Sequence, residues 1–220
     1  MLNFIFWAIW NSFLVILAWW LAIFLRKNYF KKWSELKSRE KIHFLILFFL
    51  WSAFFPNIPY LFTEGRHLID VCELENSRDI LVCMKNSGWS TLFYAYSSLA
   101  IIPFVDSLER ISQLLGKIFA GFPPLAPSPS RRGRGVRFVS KLFPIIFIPI
   151  SALGVQIGLV GRFNSWDIFN IKKLWEFISS QPFIFQDWLI TTFGLYVVFY
   201  VVVILRDRFW LKISRDFYKK

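Results

Sequence analysis

The sequence is poor in the residues on which secreted scaffolds and many soluble enzymes rely. Its 220 residues include only two cysteines, two histidines and two methionines. That is too few for a disulfide-stapled fold or a histidine-rich metal centre. Acidic residues number 14, and charged residues of both signs make up 18%, below the ~25% of a typical soluble domain. No Gly-rich phosphate loop, HExxH motif or Ser-His-Asp order occurs, so the familiar nucleotide, metalloprotease and serine-hydrolase chemistries have no foothold. There is also no internal repeat of the kind many transporters carry.

What fills the chain instead is apolar. Hydrophobic residues reach 56% and aromatics 20%, with 27 Phe and 11 Trp, and the mean hydropathy is +0.48. Charge-free runs of about twenty residues recur, the length needed to cross ~30 Å of hydrocarbon. These runs predict an all-α polytopic integral membrane protein with about five transmembrane helices, at about 2–25, 42–62, 88–105, 138–160 and 183–205. In lipid a helix satisfies every backbone group internally, which is why helices are the expected spanning elements.

Lysine and arginine are distributed unevenly between the connecting segments. The stretches 26–41, 106–141 and 206–220 hold 20 of the 26, whereas 63–87 and 161–187 hold six. Basic segments stay cytoplasmic, so the N-terminus is expected outside and the C-terminus inside. Eight of the 14 acids fall in the two outer segments, in agreement. The first apolar run lacks a basic leading region and a small-residue cleavage site, and reads as an anchor rather than a signal peptide. The net charge of +12 is then cytoplasmic-face charge. Its expected partners are the lipid bilayer and its anionic headgroups, not nucleic acid. A multi-pass place in the bacterial cytoplasmic (inner) membrane follows as the expected location.

Three further segments have a recognisable composition. Residues 121–137, rich in Pro, Ser and Arg, read as a flexible basic cytoplasmic loop. Residues 206–220 place Phe209, Trp210, Ile213 and Phe217 at helical spacing among six basic residues, as in an interfacial tail. Leu174, Trp175, Phe177 and Ile178 suggest a similar surface helix on the outer side. Cys72 and Cys83 share the outer 63–87 segment, where an oxidising compartment permits a disulfide; two free thiols are the equal alternative.

Two stretches differ from lipid-facing helix. In 55–68, Phe-Pro-Asn-Ile-Pro-Tyr-Leu-Phe-Thr-Glu-Gly-Arg-His-Leu, Pro56 and Pro59 lack amide donors and would free the carbonyls of Ser52 and Phe55. Freed carbonyls at membrane depth call for protein partners or a polar cavity. Asn57 and Tyr60 would line it, and Glu64 and His67, three apart, would share a helix face with Asp70. In 154–167, Gly154, Gly158 and Gly161 form a small-residue seam, followed by Arg162, whose planar fork suits carboxylate or phosphate. By the topology both stretches end at the outer face. Asn57, Tyr60, Arg162, Asn164 and Trp166 are therefore the candidate ligand-binding residues. Glu64, His67 and Asp167 are the candidates for proton transfer.

Purely structural readings stand beside these. Arg162 would cap the fourth helix, Asn164 or Ser165 would N-cap the next, and Asp167 would favour its dipole. Glu64 and His67 form half of a di-iron helix motif, but no second copy exists, so no metal and no cofactor is expected.

The two stretches resemble the signature of an uncharacterised bacterial family of multi-pass membrane proteins, domain of unknown function 1361. One family motif is similar to Phe55–Leu68 without gaps, with Glu64 at its usual Asp. The other is similar to Gly154–Asp167, matching at Gly154, Gly158, Arg162, Asn164, Ser165, Trp166 and Asp167. Leu159 and Phe163 depart from it, at positions where the pattern has Arg and Trp. The resemblance implies the fold and the membrane location, and no biochemical role. On the residues alone, the leading reading is a polar outer-face site for a small or lipidic anionic ligand, with catalysis left open. The alternative is a non-enzymatic envelope assembly or structural factor. A transporter ranks last, because spans three and four lack an ionisable residue near the midplane.

Overall fold

A computed structural model describes residues 2–61, 95–119, 132–161, 170–180 and 185–217. Among them every regular element is helical. In chain order these are α1 (Leu2–Tyr29), a 3₁₀ turn (Trp33–Glu35), α2 (Ser38–Phe54) and α3 (Asn57–Tyr60). There follow α4 (Ile101–Phe119), α5 (Arg132–Gly161), α6 (Ile171–Ser180) and α7 (Phe185–Phe217). Four stretches are long and apolar enough to cross a membrane: Ala8–Tyr29, Ser38–Tyr60, Val139–Gly158 and Phe185–Phe209. This is the arrangement of a multi-pass membrane protein.

The reason lies in how apolar residues are distributed around each helix. In α1 they occur all round, so Ala18, Ala22 and Leu25 turn inward while Phe13, Ile16 and Trp20 stay exposed. A helix apolar on every side suits a lipid surround. In α2 the exposed Ile42, Leu45, Ile46 and Phe49 lie opposite the buried Phe44 and Trp51. The core is an aromatic column: Trp51 stacks on Phe147 with centroids 5.0 Å apart and lies 4.9 Å from Phe55, which meets Phe104 at 5.7 Å. That column joins α2, α4 and α5. Ring pairs of this kind contribute ~0.5–1.5 kcal/mol each beyond area burial, and packing rather than hydrophobic transfer holds helices together in lipid.

The expected third span, 88–105, is not among the four apolar stretches; it lies partly outside the described residues, and the chain stays helical beyond Val105. Residues 95–99 are helical, the chain bends at Ala100, and α4 runs without interruption from Ile101 to Phe119. Leu108, Ile111, Leu114 and Ile118 are buried among α1, α5 and α7. Asp106, Glu109 and Arg110, which end the span when charges are counted, lie on a helix packed within the bundle. Polar groups can sit there because each finds a partner. Trp19 Nε1 donates to Asp106 Oδ2 at 2.6 Å, Arg110 Nε donates to the same oxygen at 2.5 Å, and Arg206 grips Glu109 with both terminal nitrogens.

The remaining elements differ from expectation at their ends. Helix α5 begins at Arg132, so the last residues of the 121–137 segment are helical rather than flexible. Helix α7 continues to Phe217, so the basic tail extends the fifth span instead of forming a helix of its own. Asn164 and Ser165 lie outside the described residues, and the cap of α6 is Asn170, whose Oδ1 accepts from the Lys173 amide at 3.2 Å. This is the N-cap geometry that gives one orphan helical donor an acceptor.

Pro149, one of two prolines inside α5, is accommodated by α7. Pro149 has no amide for the Ile145 carbonyl, and the Tyr196 hydroxyl donates to that carbonyl instead. Trp188 Nε1 donates to the Pro149 carbonyl at 2.9 Å. Gln156 Nε2 donates to Thr191 Oγ1 at 2.7 Å. A neighbouring helix thus satisfies backbone groups that lipid could not.

Candidate functional site

The first motif sits where α2 ends. The Phe55 amide still donates to the Trp51 carbonyl at 2.7 Å, then Pro56 breaks the ladder and α3 begins as a single turn. Of the carbonyls expected to be free, those of Ser52 and Phe55, the second is taken up locally, and so is the neighbouring one of Phe54. Phe55 O accepts from the Ile58 amide at 2.9 Å, and Phe54 O accepts from Asn57 Nδ2 at 2.8 Å. The Phe55 carbonyl is therefore no argument for a polar cavity, a correction to the expectation drawn from Pro59. Asn57 turns its amide back on the break, and Tyr60 donates its backbone N–H to Pro56 O at 3.0 Å. Both side chains are half-buried, between the buried Phe55, Ile58 and Leu61.

The second motif meets the first directly. A Cβ placed on Gly154 would lie 3.0 Å from Pro56 Cβ and 3.1 Å from its Cγ. Only glycine allows α5 to approach the Pro56 ring this closely. Gly158, one turn further along, is buried. Thus the small-residue seam of α5 receives the proline break that follows α2. Of the candidate site residues, Asn57 and Tyr60 lie on the described structure. Glu64, His67, Arg162, Asn164, Trp166 and Asp167 lie outside the described residues, as do Cys72 and Cys83.

Sequence reasoning missed the charged stretch of α4. Asp106 and Arg110 form an i, i+4 ion pair against Trp19 of α1, and Glu109 pairs with Arg206, which also holds Asp207 at 2.9 Å. A signal was present: Leu108, Ile111, Leu115 and Ile118 keep helical spacing through the charges. Among the described residues, no three of His, Cys, Asp and Glu gather as metal ligands.

Comparison with known proteins gives one positive result. No curated protein and no solved structure matches the chain. Residues 10–205, which include both motifs, the bundle and the α4 charges, match a single family described as a protein of unknown function. On that match the chain belongs to the DUF1361 family.

Proposed function

We propose that this protein is a multi-pass protein of the bacterial cytoplasmic membrane, N-terminus outside and C-terminus inside, with an outer-face site for a small or lipidic anionic ligand. In this reading Arg162 holds the anion and Asn57, Tyr60, Asn164 and Trp166 orient it. Glu64, His67 or Asp167 handles protons. The observation that carries the reading is the contact of Gly154 with Pro56, which brings the starts of the two motifs together at the ends of α2 and α5. The proposed orientation rests on the uneven distribution of lysine and arginine. Trp19 meets Asp106 and Tyr96 meets Ala8, so α1 and α4 run parallel, which fits either orientation.

Native mass spectrometry of the detergent-purified wild type beside Arg162→Ala tests the site. A co-purified lipid or metabolite, lost in the variant while the fold survives, is the expected result. Two bare proteins of equal integrity would overturn it. The structural alternative has one observation in its favour: the Asn57 amide closes the Phe54 carbonyl. Under that alternative Asn57→Ala lowers the melting temperature and leaves every bound molecule in place.

A further inference from the structure

Helix α6 (Ile171–Ser180) stands apart from the bundle. Among the described residues, the helices that pack on one another are α1 to α5 and α7. Yet α6 is regular, capped by Asn170 and closed by the Ser179 hydroxyl, which donates to the Glu176 carbonyl at 3.1 Å. It has ten residues, and isolated helices shorter than about 12–15 residues are marginal in water. Its stability therefore calls for a surface on which to bury one side.

The register of α6 supplies such a side. At ~100° per residue, Ile171, Leu174, Trp175, Phe177 and Ile178 fall within an arc of about 160°. Lys172, Lys173, Glu176, Ser179 and Ser180 fill the opposite arc. Ile171 and Trp175, one turn apart, are 75% and 69% exposed, as open as Phe193 on the span of α7, at 70%. On the other arc Lys172 pairs with Glu176 at 3.9 Å while 87% and 65% of their side chains stay exposed, the setting of a solvated ion pair. One side of α6 is fit for water and the other is not.

Chain connectivity selects what meets the apolar side. Helix α5 precedes α6 and α7 follows it, and both hold stretches able to cross a membrane, Val139–Gly158 and Phe185–Phe209. Gln156 meets Thr191 and Ile145 meets Tyr196, so the two run antiparallel and α5 ends at the face where α7 begins. Helix α6 is tied to that face at both ends. From Ser180 to Phe185 the chain reaches at most about 18 Å at ~3.6 Å per residue, which holds the end of α6 close to the bilayer surface. The bilayer is the apolar phase within its reach. We infer that α6 is an interfacial helix lying along the membrane plane, its Ile171–Trp175 side seated in the boundary between acyl chains and headgroups and its Lys172–Glu176 side in water. Trp175 suits that depth, because an indole places an apolar ring in lipid and its N–H among the headgroups. The inference holds for either orientation of the protein and needs no ligand at the α2 and α5 ends.

Spin labels on single cysteines test it, in the full chain carrying Cys72→Ser and Cys83→Ser and reconstituted into phosphatidylcholine vesicles. Ile171→Cys and Trp175→Cys report one side, Lys172→Cys and Glu176→Cys the other, and Phe193→Cys marks the span of α7. Labels at positions 171 and 175 are expected to match the one at 193, open to oxygen and shielded from a water-soluble nickel chelate. Labels at 172 and 176 should show the reverse. Equal nickel access at all four α6 positions would overturn the inference and leave a solvated helix. Shielding of 171 and 175 from both reagents would overturn it in favour of a protein partner or a second copy of the chain. Hydrogen exchange of the unmodified protein in the same vesicles needs no substitution. The α6 amides should exchange at least about tenfold more slowly than an unfolded chain, a margin of about 1.4 kcal/mol, and unprotected amides there would sink the idea.

Discussion

Replacing Gly154 with alanine tests whether the contact between the two motifs is a real constraint. The new methyl carbon would stand 3.0 and 3.1 Å from two ring carbons of Pro56, where carbon atoms prefer ~3.5–4.0 Å. A proline ring has no alternative rotamer to vacate the space, so α3 or α5 must shift by several tenths of an ångström. Overpacking of this kind costs about 1–3 kcal/mol. Alanine returns about 0.5–1 kcal/mol through better helix propensity, leaving a net loss of about 1–2 kcal/mol. Gly194 provides the matched control, because a Cβ there meets nothing within 4 Å. Gly194→Ala should keep the propensity gain of about 0.5–1 kcal/mol. In thermal melts in detergent followed by tryptophan fluorescence, Gly154→Ala should therefore melt about 2–8 °C below wild type. Gly194→Ala should melt at or slightly above it. If both variants melt at or above the wild type, the close approach does not hold the motifs together and the reasoning fails.

Other expectations follow from the same packing. Trp51 is fully buried and its Nε1 has no hydrogen-bond partner among the described residues, so Trp51→Phe should cost under about 1.5 kcal/mol and Trp51→Ala about 3–5 kcal/mol; melts of the two side by side check the gap. Tyr196→Phe removes the donor that serves the Ile145 carbonyl and should destabilise by about 0.5–2 kcal/mol, with Tyr200→Phe as a control on the same helix. Reporter fusions should show an external N-terminus and a cytoplasmic C-terminus, and the reverse pattern would remove the outer-face site. Deleting 123–135 should leave membrane accumulation unchanged on an immunoblot.

The four apolar stretches are legible in the sequence because each is continuous. The α4 helix is not, since the residues that make its charges tolerable lie far away in the chain: Trp19 precedes Asp106 by 87 residues and Arg206 follows Glu109 by 97. Counting charges along the chain ends the span at Val105, whereas pairing across helices carries α4 on to Phe119. The helix break at Pro56 is legible from the prolines, but the groups that answer it, the Ile58 amide and the Asn57 side chain, emerge only from the folded turn. Gly154 is readable as a small residue on a seam; its partner Pro56 is not, because nothing local links them. Of the candidate site, Asn57 and Tyr60 stand at the α2 end, and the charged members lie beyond the described residues.

The hydrogen bond from Trp19 to Asp106 also sets an order of events during synthesis. The two residues are 87 apart, so at ~5–20 residues per second the indole waits roughly 4–17 s for its acceptor to leave the ribosome. Over that interval the first helix resides in the bilayer without its parallel neighbour. The side of α1 that carries Trp19 is therefore complete only after the middle of the chain has been made, and its pairing with α4 is a late step of assembly.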